Sequence, residues 1–181
     1  MSDFVSEGAS AEDLPAPAEG LLLTHFLTVS DVPRSRAFYA EVLGGRVVLD
    51  ENPCIVKVAN SWIIMNPGGG PTDDKPDVVL RTPEDPHTVS SFLNVRVANI
   101  QEFYAAASAK GAEFLTPPID RRAELRCYMR DPDGYLIEVG QATGLLTGLL
   151  ARTDTGTDTG TGTDTGTGTD TGTGTDTGTE S

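Results

Sequence analysis

The chain has 181 residues and a formal net charge of −14 at pH 7, a balance that argues against nucleic acid, which needs a basic patch on its protein partner. The charge is uneven: residues 1–20 hold two Asp and three Glu, the stretch from Thr153 holds five Asp and one Glu, and only −3 is left for everything between. No apolar run approaches the roughly 20 residues that span a bilayer, and the N-terminus has neither the basic nor the hydrophobic region of a secretory signal, so the expected location is cytoplasmic, with no membrane partner.

Residues 1–20 are acidic and rich in Ala, Pro and Ser, and read as a flexible acidic arm. Residues 152–181 read as a disordered tail. From Thr153 onward they contain only Thr, Asp and Gly until the closing Glu180 and Ser181, and nothing there can be buried. Calcium-binding Gly-Asp repeats keep an aliphatic residue in each repeat, and this tail has none. What remains, 21–151, is one domain.

Leu21–Ser30 is a predicted strand. Asp31 is a suitable N-cap and Pro33 a suitable first-turn residue for a helix over Ser35–Leu43, which Gly44-Gly45 stops. Arg46–Leu49, Cys54–Ala59 and Trp62–Asn66 are three strands in close succession. Residues 67–89 are a Gly- and Pro-rich connection in which only Val78–Leu80 has strand character. Its Gly68-Gly69-Gly70 run lacks the Lys-Ser/Thr of a phosphate loop, and His87 reads as a solvated loop residue. The pattern then restarts: strand Ser91–Val97, helix Ile100–Lys110, Gly111 as the stop, then strands Glu113–Thr116, Leu125–Arg130 and Tyr135–Gly140.

The order β-α-β-β-β therefore occurs twice, over about 21–66 and 90–141. The residues echo it. Phe26-Leu27-Thr28-Val29 matches Phe92-Leu93-Asn94-Val95, Phe38-Tyr39 matches Phe103-Tyr104, and Leu43-Gly44-Gly45 matches Lys110-Gly111-Ala112. An internal duplication is the economical reading. Cys54 and Cys127 lie inside strand-like runs and are expected to be reduced and buried. Trp62 sits beside a turn and reads as a packing residue.

Asp131-Pro132-Asp133-Gly134 is a turn with a mechanism: Pro132 pre-sets φ, Asp131 caps, and Gly134 tolerates positive φ. It feeds an apolar strand carrying one carboxylate, Glu138, whose burial demands a partner. Period-2 alternation separates the faces of the other strands. Leu23, His25, Leu27 and Val29 share one side of the first strand, and Thr24, Phe26, Thr28 and Ser30 the other. Leu93, Val95 and Val97 lie opposite Phe92, Asn94 and Arg96. The aliphatic sides suit helix packing and the mixed sides suit a ligand cleft. Lys57 is the odd polar residue of its strand. Arg126 and Tyr128 alternate together, on a face that the sequence alone does not orient.

The two modules, the Val-Ser-Asp-Val-Pro-Arg-Ser-x-x-Phe-Tyr segment at the first helix and the Asp-Pro-Asp-Gly-x-x-x-Glu hairpin resemble the vicinal oxygen chelate superfamily of glyoxalases, bleomycin-resistance proteins, fosfomycin-resistance enzymes and extradiol dioxygenases. The resemblance covers about residues 21–141. It implies an α+β fold of two tandem β-α-β-β-β modules whose curved mixed sheets surround a cleft, commonly with a divalent metal ion. Laid on this chain, the family's ligand positions fall on Thr24, Lys57, Phe92 and Glu138. Only Glu138 is a ligand, and one carboxylate does not hold a catalytic ion that needs about three protein ligands. The expected cofactor is therefore none. The alternative is a divalent metal held by His25 and Glu138, with His25 turned inward by a strand bulge.

By the same resemblance, Lys57 and Glu138 converge and form a buried ion pair in place of the metal, either as a structural bridge or as the catalytic pair. In the second case Lys57 takes an anionic or carbonyl group and Glu138 serves as acceptor or general base. Thr24, Phe26, Phe92, Asn94, Arg96, Arg126 and Tyr128 are the candidate substrate-binding residues. Three functions follow: a metal-independent protein that binds a small organic molecule, a metal-dependent lyase, isomerase or dioxygenase, or a non-catalytic assembly module. Open sheet edges and the family analogy point to a homodimer.

Overall fold

A computed structural model of the chain describes residues 10–145. The expected repeat tail lies outside the described residues.

The first module comprises β1 (His25–Val29), α1 (Val32–Glu41), β2 (Arg46–Leu49), β3 (Cys54–Val58) and β4 (Ser61–Pro67). The second comprises β5 (Leu93–Arg96), α2 (Ile100–Ala109), β6 (Glu113–Phe114), β7 (Ile119–Asp120), β8 (Glu124–Arg130) and β9 (Leu136–Ala142). Asp31 caps the first helix as the sequence suggests, and Asn99 caps the second. Asp31 accepts the Arg34 N–H at 2.9 Å, with Pro33 in the first turn of α1. Asn99 accepts the N–H groups of Gln101 and Glu102 at 3.2 Å at the start of α2. Each side-chain oxygen satisfies a donor that the first helical turn leaves without a partner.

The sheets repeat one topology. Sheet 1 runs β1-β4-β3-β2 and sheet 2 runs β5-β9-β8-β6, with β7 also paired to β8. In both, the strand before the helix pairs in parallel with the last strand of its module, and the remaining ladders are antiparallel. The fold is thus α+β, with two open mixed sheets. Three details differ from the expected strands. The strand at β1 begins at His25 because Leu21–Thr24 find no partner strand. The pair Ile119–Asp120 joins the second sheet through Arg126 and Leu125. Val78–Leu80 contributes only an isolated bridge from Leu80 to Gly69.

The core sits on the helical side of both sheets. Leu27, Val29, Val56, Ile63 and Met65 of sheet 1 join Cys127, Met129, Ile137 and Val139 of sheet 2 in one buried cluster, which also takes in Tyr39 and Val42 next to Ile100 and Ala107. Cys54 and Cys127 are free and buried, and burial pushes both thiols up to about 11.

The modules are also clasped by the Asp-Pro-Asp-Gly turn. Asp131 accepts the Tyr39 hydroxyl at 2.9 Å while its other oxygen accepts the N–H groups of Asp133 and Tyr135. Asp133 accepts the Ser30 N–H and hydroxyl, Arg34 Nη2 and the Ser35 hydroxyl. Tyr135 donates to the Thr28 carbonyl at 3.0 Å. The bonds to Thr28, Ser30, Arg34, Ser35 and Tyr39 join the β8–β9 turn to β1 and α1, about a hundred residues away.

Candidate ligand-binding site

Strand β9 alternates between core and cleft. Ile137 and Val139 enter the shared core, so Glu138 points to the opposite face. The register places three residues in one row across sheet 2: Asn94 beside Glu138 beside Tyr128. The next row holds Arg96, Gly140 and Arg126. Glu124 stands at the end of the same face of β8, opposite Ala142.

Glu138 is 5% exposed, and both of its oxygens are engaged. Asn94 Nδ2 donates to Oε1 and the Tyr128 hydroxyl donates to Oε2, each at 2.5 Å. Arg96 Nη1 lies 4.0 Å from Oε1 and Arg126 Nη1 lies 3.7 Å from Oε2. The same two guanidinium groups pair with Glu124 at 2.7 and 3.1 Å. Two cations and two anions thus form a neutral network in which every buried acceptor has a donor, as burial of charge requires. Burial and the hydrogen bond to Glu138 raise the Tyr128 pKa above that of an ordinary phenol. The Phe92 ring meets Tyr128 edge-on at 6.1 Å and remains 45% exposed.

Gly140 is explained by this face. A Cβ there would collide with the Arg96 guanidinium, which lies across the strand at that point. The bare backbone is what lets Arg96 reach both carboxylates. At the start of β9, Tyr135 and Leu136 line a hollow of about 270 Å³ under the 81–91 connection, with Thr82, Pro83, Val89 and Ser91.

Five of the residues singled out in the sequence are therefore together: Asn94, Arg96, Arg126, Tyr128 and Glu138, with Phe92 at the margin. Thr24, Phe26 and Lys57 belong elsewhere. The expected pairing of Lys57 with Glu138 within the chain is not formed. Lys57 alternates with Val56 and Val58, which pack on the shared core just as Ile137 and Val139 do. Both charges therefore face away from that core, on separate sheets. Lys57 instead lies 3.6 Å from Asp13 Oδ1, and its ammonium sits over the Trp62 ring at 5.2 Å.

This contact also places residues 10–14, a part of the expected flexible arm, against sheet 1. A 3-10 turn at Ala11–Asp13 and Leu14 lie against sheet 1, where Val48, Ile55 and Trp62 form a small second core with Leu14, Leu22, Leu49 and Ile64. The arm's composition hid Leu14, the apolar residue that seats on Trp62. Phe26, 46% exposed, is on this sheet 1 face and does not meet Phe92.

The bulge that would turn His25 inward is absent. Its register with Ile63 runs on unbroken to Val29 and Pro67, which keeps His25 on the side of Leu27 and Val29. Burial lowers its pKa. The Glu138 surroundings do not fit a divalent cation either. Its oxygens are taken by an amide and a phenol, and the nearest further groups are guanidinium cations, which repel a metal ion. Among the described residues no group of three or more His, Cys, Asp or Glu side chains is gathered in ligating geometry. Glu124 and Asp13 went unnoticed in the sequence. Alternation with Arg126 and Tyr128 could have found Glu124, had the strand been started one residue earlier.

Two sheets of four and five strands, each with the first strand of its module parallel to the last and each offering a polar face opposite a shared helical core, define a class of paired-module cleft proteins. The chain belongs to the Glyoxalase/Bleomycin resistance protein/Dioxygenase superfamily, whose family model matches residues 22–139. Among known proteins it is similar to the metallothiol transferase FosB of Shouchella clausii (strain KSM-K16), 28% identical over 120 residues, which cover 64% of this chain and 76% of that one. Among solved structures, virulence protein STM3117 from Salmonella typhimurium is 27% identical with a TM-score of 0.51, over 67% of this chain and 96% of the other. The fosfomycin resistance protein FosX from Listeria monocytogenes, at 17% identity and a TM-score of 0.52 over 69% and 95%, shares the fold. No helix among the described residues is long and apolar enough to cross a membrane.

Proposed function

We propose that this protein binds a small organic molecule on the Glu138 face of sheet 2, without a catalytic metal, as a homodimer in the cytoplasm. The observation that carries the reading is the Glu138 network itself. A buried carboxylate is neutralised by Asn94, Tyr128, Arg96 and Arg126, where a metalloenzyme would need further ligands. Arg96 and Arg126 keep about a third of their side-chain surface in solvent, leaving donors for a ligand carboxylate, phosphonate or carbonyl. Phe92 and the hollow at the start of β9 supply apolar walls, and a few fixed polar groups in an apolar setting make a small-molecule site.

The same geometry supports the dimer. The polar faces of the two sheets point away from their common core, so one chain offers two half-clefts that do not face each other. Strands β1 and β5 are sheet edges, and Leu21, Leu23, Phe26 and Phe92 are exposed near them. A second copy would close the half-clefts and cover these edges.

A thermal-shift and calorimetric screen against small aromatic, anionic and thiol-conjugated compounds, with and without divalent metals, tests the reading, together with elemental analysis. The expected result is a ligand whose affinity falls by about tenfold or more in Arg96→Ala and in Glu138→Gln, the effect of losing a charge-assisted contact. About one zinc, manganese, nickel or iron per chain would overturn the metal-free reading. It would favour a metal-assisted reaction, the second reading that similarity to a metallothiol transferase supports.

A further inference from the structure

The arm contact on sheet 1 is more specific than a stray loop lying on a surface. Asp13 Oδ1 accepts Arg46 Nη2 and faces Lys57 Nζ, and Asp13 Oδ2 accepts the N–H and hydroxyl of Ser10 at 2.9 and 3.0 Å. The Asp13 carbonyl accepts the Trp62 indole N–H at 2.6 Å. Leu14, the next residue, packs on Val48, Ile55 and Trp62. Two cations for a carboxylate, an indole donor for the adjoining carbonyl and an apolar floor for the following aliphatic group match one chemical pattern point for point. Arg46 and Lys57 sit directly opposite each other on β2 and β3, and Trp62 is opposite Lys57 on β4, so the receiving residues are fixed by rigid strands.

We propose that the Arg46–Lys57–Trp62 face of sheet 1 is a carboxylate-binding site held closed by the chain's own Asp13–Leu14, which acts as an internal competitor. Its ligand class is an organic acid, or an acidic peptide, carrying a carbonyl and a compact aliphatic group next to the carboxylate. Such a ligand enters only when the arm leaves, and its apparent affinity is reduced by the fraction of chains in which the arm is closed. The arm stays in contact with its groove through a short tether, Pro15–Gly20, which keeps its effective concentration high. The site is the half-cleft of sheet 1, so the inference rests on the reading of these polar faces as ligand clefts, but its residues and its probe are separate from those of the Glu138 network.

The test uses full-length protein and the peptide acetyl-Ser-Ala-Glu-Asp-Leu-Pro-Ala-amide, residues 10–16, as the probe. Trp62 is the only tryptophan of the chain, so its emission and its quenching by acrylamide report this face alone. In the Asp13→Asn/Leu14→Ala variant the arm is released, Trp62 emission shifts to the red, and quenching increases. The added peptide reverses both changes. It binds this variant about tenfold or more tighter than it binds wild type, since the competitor is gone. Arg46→Gln in the opened background, or Asn in place of the peptide's Asp, weakens binding about tenfold. Equal affinity for wild type and opened variant would overturn the internal competitor. Indifference to Arg46 or to the peptide's aspartate would overturn the carboxylate site. If the double variant melts early, Asp13→Asn alone, isosteric and at the surface, carries the same comparison.

Discussion

Glu138 is held by neighbours that have no other strong partner on their own row. Asn94, Glu138 and Tyr128 stand side by side across β5, β9 and β8, so removing the carboxylate takes the acceptor from the Asn94 amide and the Tyr128 phenol, while Arg96 and Arg126 keep Glu124. Glu138→Ala is expected to destabilise the fold by about 1–3 kcal/mol, the scale for losing hydrogen bonds to a charged group. Glu138→Gln keeps the shape and should cost less. A denaturant double-mutant cycle of Glu138→Gln with Tyr128→Phe should give a coupling of about 1 kcal/mol, because the two share a hydrogen bond. Strict additivity would show that the phenol bonds elsewhere in solution. Tyr39 gives a test by pH. It is buried, and burial together with the Asp131 carboxylate raises its pKa well above the ordinary phenol value. The native state therefore holds the proton after the unfolded chain has released it. Stability from this group is complete below about pH 10 and is lost as pH rises past that point. Tyr39→Phe should flatten the alkaline side of a melting-temperature profile while lowering stability at neutral pH through the lost bond to Asp131.

At the scale of elements, the junction of α1 with sheet 1 is the tightest place in the first module. The helix stops at Val42, Gly44 takes φ of +69°, and Gly45 then passes beneath the helix end. A Cβ on Gly45 would meet the Tyr39 carbonyl oxygen at 2.8 Å and the Val56 side chain even closer. Gly45→Ala should thus push α1 off β3 and cost about 1–3 kcal/mol, measured by urea unfolding. Gly140→Ala should be milder, since it displaces only the flexible end of Arg96. The helices and most strands were legible in the sequence because their signals are local: Asp31 and Pro33, Gly44 and Gly111, and the alternation of Leu27 and Val29 or of Ile137 and Val139. Period 2 also put Asn94 with Arg96 and Tyr128 with Arg126, but which of these faces meets Glu138 took the strand pairing to show. What eluded the sequence was relative placement. Period 2 tells that Lys57 and Glu138 both leave the core, but not that one core serves both sheets and so sends them in opposite directions. The Asp13 contact spans more than forty residues and rests on a single leucine in an acidic, Pro-rich arm, which no window of composition reveals.

For the whole molecule, the duplication is visible in topology but not in energetics. The two sheets share one hydrophobic cluster, and the acidic turn between β8 and β9 satisfies its carboxylates on the β1–α1 corner. Asp133→Ala, at a side chain only 2% exposed, should cost about 2–3 kcal/mol through Ser30, Arg34 and Ser35. It should lower a single melting transition without splitting it in two. Calorimetry showing two resolved peaks would mean that the modules are thermally separate. The motif that first draws the eye in the sequence, Asp-Pro-Asp-Gly ahead of Glu138, therefore does two jobs within eight residues: its aspartates fasten the halves of the chain together and its glutamate organises the ligand face. Any movement that loosens the fastening also tilts the strand on which Glu138 rides, so the shape of the proposed ligand face and the cohesion between the two repeats are bound to the same short hairpin.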